Sequence, residues 1–125
     1  MKENILLEKS YKFAVNVLKA VKVLNRSTEN YVLIRQLVRA PTSIGANAEE
    51  SQGGHTKKDF VHKLNTSYKE ARETKLWIRL IIDTQLSKKS EIEMYRKLLD
   101  DADELCKIIY AIIRSSGENR SSRNT

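Results

Sequence analysis

The chain has 125 residues and a mass of 14.4 kDa, enough for one hydrophobic core and too little for two. It is 40% hydrophobic and 31% charged with 4 Gly, 1 Pro and 6% aromatic residues, which excludes a disordered chain and argues against a turn-rich β-sandwich or barrel. Its 23 basic residues against 16 acidic ones leave +7 at pH 7, a charge that invites a polyanionic partner.

Four segments carry helical periodicity. The first runs from about Lys2 to Leu24, with Leu6, Ser10, Phe13, Val17, Ala20 and Leu24 at alternating spacings of four and three. Asn25-Arg26-Ser27-Thr28, a cluster of turn and N-cap residues, ends it. The second runs from about Glu29 to Ser51 on Leu33, Leu37, Ala40, Ile44 and Asn47. Gln52-Gly53-Gly54-His55 breaks it, and its glycines suit the left-handed conformation that closes a helix. Thr56-Lys57-Lys58-Asp59 resembles a capping box and opens a third helix on Phe60, Leu64, Ser67, Ala71, Thr74, Ile78 and Ile81. After Gln85 to Lys89 a second capping box, Ser90-Glu91-Ile92-Glu93, opens a fourth, with the seam Tyr95, Leu99, Ala102, Cys106, Ile109 and Ile113.

The expected fold is all-α, an antiparallel up-down-up-down four-helix bundle over residues 1–115, followed by a polar, disordered tail at 116–125. Short connections favour antiparallel neighbours, and the spacing implies crossing angles near ~20°. Pro41 predicts a kink, because inside a helix it removes one N–H and crowds the carbonyl of Leu37.

Catalytic patterns are nearly absent. The chain holds two histidines, His55 and His62, and no G-x-S-x-G, H-E-x-x-H, C-x-x-C or P-loop motif. A di-metal bundle site needs two Glu-x-x-His pairs, whereas Asp59-Phe60-Val61-His62 is a single copy with Asp, so neither metal nor cofactor is expected. Cys106 reads as a small core filler. Asn47 falls on the seam with Ser43 one turn earlier; it is either a buried amide that fixes register or, as the weaker reading, a ligand contact. Folding the second and third helices back about Gly54 brings Arg39 level with Glu70, Arg35 level with Glu73 and Glu50 level with Lys58. Arg39, Ser43, Asn47, Glu50, Glu70 and Glu73 therefore form an expected structural polar network.

The positive surplus is localised. Residues 1–25 carry +3, residues 52–86 another +3 and the tail +1, while the second and fourth helices are neutral. Lys9, Lys12, Lys19 and Lys22 follow one edge of the first helix, and Lys69, Arg72, Lys75 and Arg79 one edge of the third. These eight are the candidate nucleic-acid contacts; the aromatic residues show no stacking platform in the sequence, so phosphate-directed, salt-sensitive binding is expected. The bland alternative is a solvated charged face. Apolar residues also exceed what one bundle face can cover: Tyr11, Val15 and Leu18, then Leu76, Trp77 and Leu80, are candidate oligomer-interface residues, and Leu98, Leu105 and Ile112 form a further flanking line. No apolar run reaches a membrane span, the N-terminus lacks a secretory leader, and a single cysteine excludes an internal disulfide, so the expected location is the cytoplasm without a membrane partner.

The stretch Arg35-Gln36-Leu37 to Arg39, Thr42-Ser43-Ile44-Gly45-Ala46-Asn47-Ala48-Glu49-Glu50-Ser51-Gln52-Gly53, Lys57-Lys58-Asp59-Phe60 and Lys69-Glu70-Ala71-Arg72-Glu73-Thr74-Lys75-Leu76-Trp77-Ile78-Arg79-Leu80 resembles the bacterial four-helix-bundle family named after proteins encoded in 23S ribosomal RNA intervening sequences. The resemblance covers about residues 5 to 115, with Ala48 where a larger aliphatic is usual and Ser51 where Ala or Gly is usual. It implies an antiparallel bundle that assembles into a ring, typically a homopentamer, with no catalytic residue. It also implies a distant relationship to the accessory variability determinant of diversity-generating retroelements, a basic bundle that binds nucleic acid and a reverse transcriptase. The leading expectation is therefore a non-enzymatic, homo-oligomeric accessory protein that binds RNA or DNA through the phosphate backbone, with a reverse transcriptase among the implied partners. A protein-interaction scaffold without nucleic-acid binding is the alternative.

Overall fold

The computed structural model describes residues 2–124, and their side chains except at positions 2, 3, 29 and 118–124. Four helices follow in order: α1 (Lys2–Val21), α2 (Thr28–Gln52), α3 (Lys57–Asp83) and α4 (Ile92–Asn124), with one 3-10 turn at Lys89–Glu91 before α4. Contacts between helices run with opposed residue numbers. Ile44 and Arg39 of α2 meet Ser67 and Glu70 of α3; Lys75 and Tyr68 of α3 meet Asp103 and Tyr110 of α4; Lys9 and Ala20 of α1 meet Glu104 and Tyr95 of α4. Each sequential pair is thus antiparallel, and the molecule is an up-down-up-down four-helix bundle. α1 packs on α2 and α4 but not on α3, so the two basic helices occupy diagonal corners.

Helix starts follow local chemistry. The N–H of Asn30 donates to Ser27 Oγ at 3.3 Å, and that of Asp59 to Thr56 Oγ1 at 3.0 Å, so both N-caps satisfy one orphan donor. The fourth start differs from the expected capping box. Ser90 lies within the 3-10 turn, whose N-cap, Lys88, makes no side-chain cap bond, and α4 opens at Ile92. α1 ends at Val21, three residues before the expected Leu24.

Helix ends bring a second difference. Neither Gly53 nor Gly54 is left-handed; Gly53 caps α2 at φ −93°, and no glycine has positive φ. Glycine serves at position 54 by size instead, since a Cβ there would lie 3.2 Å from Phe60 N and 3.3 Å from the Ser51 carbonyl oxygen. The left-handed residue is Gln85, at φ 57°. The Leu86 N–H donates to the Ile81 carbonyl at 3.2 Å and the Gln85 N–H to that of Ile82 at 3.3 Å, a Schellman closure of α3 built on a residue that carries a Cβ.

The apolar stripes of all four helices meet in one core, with Leu6, Phe13, Val17, Leu37, Ile44, Leu64, Ile78, Ile81, Tyr95, Leu105 and Ile109 essentially sealed from water. Leu98, Leu105 and Ile112, which the sequence suggested as surplus, are buried core residues. Pro41 is buried within a single helix, and the Thr42 hydroxyl donates to the nearby carbonyls of Val38 and Arg39 at 2.9 and 2.8 Å. Ile112 is the last buried residue among the described side chains, although the α4 backbone continues through the polar stretch to Asn124.

Tyr95 ties α4 to the end of α1. Its ring is buried and its hydroxyl donates to the Ala20 carbonyl at 3.0 Å. Burial, assisted by the charge of Glu91, pushes the phenol above its ordinary value, so the folded state holds it neutral. Where a folded-state pKa is raised, stability is complete below the unfolded value and is lost as pH rises past it. Stability measured against pH should therefore fall above about pH 10, the ordinary tyrosine range. Tyr95→Phe should cost about 1 kcal/mol at neutral pH, read by urea melts, and should blunt that alkaline loss. Gln85→Gly, which relieves the left-handed strain, should raise stability by up to about 1 kcal/mol in the same assay.

Candidate nucleic-acid interface

Antiparallel packing against α4 divides the basic residues into two groups. Lys9 Nζ lies 2.7 Å from Glu104 Oε1, and Lys75 Nζ lies 2.9 Å from Asp103 Oδ1. Lys107 reaches the other oxygen of Asp103 at 3.2 Å. Hydrogen bonding from Lys75, then from Lys107, together with their charges, holds the Asp103 carboxyl below its ordinary value; the same bond to Asp103 raises Lys75, and the bond to Glu104 raises Lys9. These are solvent-exposed pairs that orient side chains more than they stabilise the fold. Among the described residues, Lys12, Lys19, Lys22, Lys69 and Arg79 make no ion pair, and Arg72 stands 5.9 Å from the centre of the Tyr68 ring. The eight candidates therefore lie on two faces. Lys9 and Lys12 border a cleft of about 360 Å³ between α1 and α4, with Lys97, Asp101 and Glu104 opposite, while Arg72 and Lys75 border a cleft between α3 and α4. Asp103, Glu104 and Lys107 were not singled out in the sequence, because they belong to a helix of zero net charge whose signs separate only on packing.

The polar network resolves into three parts. Arg39 Nη1 donates to Glu70 Oε2 at 3.0 Å and Nη2 to Glu73 Oε1 at 2.7 Å, a fork that joins α2 to α3, while Nε donates to Gln36 at 2.9 Å. Arg35, expected beside Glu73, instead stands 5.7 Å from the Tyr31 ring centre. Glu50 pairs with Lys63 at 3.1 Å rather than with Lys58. Asn47 is half-buried off the seam and donates to the Ser43 carbonyl one turn back at 2.9 Å; Ala48 takes the buried position.

Of the candidate interface residues, Tyr11 is 73% exposed and Leu18, Leu76 and Leu80 are also open to water. Val15 is half-buried, and so is Trp77, which packs against the core and donates from Nε1 to Glu73 at 3.3 Å. Cys106 is buried, and burial pushes its thiol up, so it acts as a packing group. No group of three or more His, Cys, Asp or Glu among the described residues could hold a metal, and no helix there is long and apolar enough to cross a membrane.

The fold and this arrangement define a basic, antiparallel four-helix bundle. The family model of the 23S rRNA-intervening sequence protein matches residues 2–111, and the chain belongs to that family. It is similar to the crystal structure of a protein of unknown function from the S23 ribosomal protein family of Bacteroides thetaiotaomicron, at 36% identity and a TM-score of 0.82, over 91% of this chain and 99% of the other. No functionally curated protein matches it.

Arg39→Ala should lower stability by about 1–2 kcal/mol in denaturant melts, because it leaves the largely buried Glu70 without its partner. Arg39→Lys should recover less than half, since one ammonium cannot span both carboxylates.

Proposed function

We propose that the protein is a non-enzymatic, homo-oligomeric accessory protein that binds RNA or DNA through the phosphate backbone. The observation that carries this reading is the localisation of charge. The surplus sits on α1 and α3, and Lys12, Lys19, Lys22, Lys69 and Arg79 make no ion pair among the described residues. Exposed cations without carboxylate partners break no ion pair when they turn toward phosphate, and each contact releases counterions. Assembly into a ring, which we take as a homopentamer, would repeat each lysine edge around one surface, so that weak contacts add by multivalency. Exposed Tyr11, Leu18, Leu76 and Leu80 supply the apolar area such an assembly needs to cover. A reverse transcriptase belongs with this reading as a protein partner, in the cytoplasm. The same exposed apolar residues favour the second reading, a protein-interaction scaffold whose charge serves solubility.

Binding to structured RNA and to duplex DNA should weaken linearly in log K against log salt, by roughly 0.9 per phosphate contact on a duplex. Lys12→Ala combined with Lys19→Ala and Lys22→Ala should flatten that slope while the melt stays unchanged. Binding that ignores salt, or is absent at low salt, overturns the proposal in favour of the scaffold. Light scattering should return five copies of the 14.4 kDa chain; a monomer at micromolar concentration removes the ring.

A further inference from the structure

Packing of α3 against α4 brings together two tyrosines that are far apart in the chain. The rings of Tyr68 and Tyr110 lie 6.1 Å apart between centroids, tilted by 40°, at the mouth of an open cleft of about 260 Å³. Arg72, Lys75 and Lys107 line the same cleft with Asp103 as its carboxylate. Tyr68 is half-buried against the core and so is held by packing, whereas Tyr110 is 52% exposed. The exposed part of the Tyr110 ring is available to a third flat group, with Tyr68, under Arg72, beside it, and the preferred geometries of aromatic contacts accommodate one.

The cations are arranged around that aromatic surface. Asp103 accepts a hydrogen bond from Lys75 through one oxygen, at 2.9 Å, and pairs with Lys107 through the other, at 3.2 Å, so a single carboxylate draws two ammonium groups to the cleft. Each ammonium has three donors and spends one here, which leaves two for another acceptor. Arg72 extends the positive edge along α3 and stands over Tyr68. Three cations around one carboxylate leave the cleft positive. Flat aromatic surface combined with preset cations matches the two parts of a nucleotide in a strand, the base and its phosphates.

We propose that the α3/α4 cleft is a site for single-stranded nucleic acid, in which Tyr110 and Tyr68 stack an unpaired base and Arg72, Lys75 and Lys107 hold the adjoining phosphates. This rests on the reading of the protein as a nucleic-acid binder and adds a preference within it. A duplex keeps its bases stacked inside and offers the tyrosines nothing, while a single strand or loop can present a base to them. A second arginine–tyrosine pair, Arg35 over Tyr31 at 5.7 Å, lines a separate cleft with Arg26 and Arg39 but has no second ring beside it among the described residues, and Arg39 is committed to Glu70 and Glu73. Tyr31, 56% exposed, is therefore the control for a single ring beside cations.

The test uses the full chain and fluorescein-labelled oligouridylate, oligodeoxythymidylate and a duplex, each of about 20 nucleotides or base pairs so as to exceed one site. Anisotropy should show tighter binding to the single strands than to the duplex at equal salt. Tyr110→Ala should weaken single-strand binding by about five-fold or more and leave duplex binding within about two-fold, because stacking is lost while phosphate contacts remain. Tyr110→Phe should retain it, and Tyr31→Ala should change neither. Lys107→Ala should weaken both and lower the salt slope by about one contact. If Tyr110→Ala has no effect, or costs both ligands equally, the stacking site is wrong even where salt-dependent binding persists. If the unaltered protein binds none of the three at low salt, the broader reading falls and takes the site with it. A preference for oligouridylate over oligodeoxythymidylate, or the reverse, assigns the strand to RNA or DNA.

Discussion

The close approach of α2 and α3 is the constraint on which the rest of the bundle depends. Ala40, Ala48 and Ser51 on α2, and Ser67, Ala71 and Thr74 on α3, are all buried, and all are small. Small side chains alone would leave the helices free to slide. Ser67 removes that freedom, because its hydroxyl donates to the Ile44 carbonyl across the interface at 2.8 Å with both groups buried. A hydroxyl at this depth costs free energy wherever it lacks a partner, so the register that pairs it is selected against neighbouring registers. On the outer side of the same interface, the Arg39 fork across Glu70 and Glu73 reads the same register from solvent. Once α2 and α3 are locked, the short connections place α1 beside α2 and α4 beside α3, which sends the two basic helices to opposite corners.

That placement changes the meaning of the charge. Two basic helices side by side would make one continuous positive face. Held apart by neutral helices, they make two faces, and α4 decides how positive each becomes. Two of its carboxylates face its neighbours: Glu104 takes Lys9 of α1 and Asp103 takes Lys75 of α3. The neutrality of α4 is a sum over sides of unlike sign, since Lys107 remains at the edge of the α3/α4 cleft. Charge totals by segment are thus a fair guide to which helices are basic and a poor guide to which surfaces are.

The seams of α1 and α3 were legible from spacing alone. Leu6, Ser10, Phe13, Val17, Ala20 and Leu24 are all buried, as are Leu64, Ser67, Ala71, Thr74, Ile78 and Ile81, while Phe60 at the start of the α3 line is half-buried against the core. Those of α2 and α4 were legible only in part. In α4 the buried stripe is wider than a single line of threes and fours, so Leu98, Leu105 and Ile112, which looked like surplus, are core beside Tyr95, Ala102, Cys106 and Ile109. In α2 the stripe takes Ala48 and leaves Asn47 beside it. Loop chemistry was less legible because one residue type serves several ends. Glycine at 54 answers a close backbone approach, and the left-handed position fell to Gln85, for which composition gives no sign. Salt-bridge partners depended on register across a hairpin, where an offset of four or five residues exchanges Arg35 for Arg39 and Lys58 for Lys63.

Nothing along the chain connects Tyr68 with Tyr110, and a count of aromatic residues puts this protein among those without a stacking surface. Packing brings the two together, because the α3–α4 register that pairs Lys75 with Asp103 also sets one tyrosine beside the other two turns away along α3. The ion pair and the aromatic pair are consequences of a single alignment, so neither can shift without the other. A lysine line alone recognises only charge density, which any polyanion supplies. Charge fixed at a set distance from a flat apolar surface recognises the spacing of base and phosphate, and that spacing is open to contact only where the strand is unpaired.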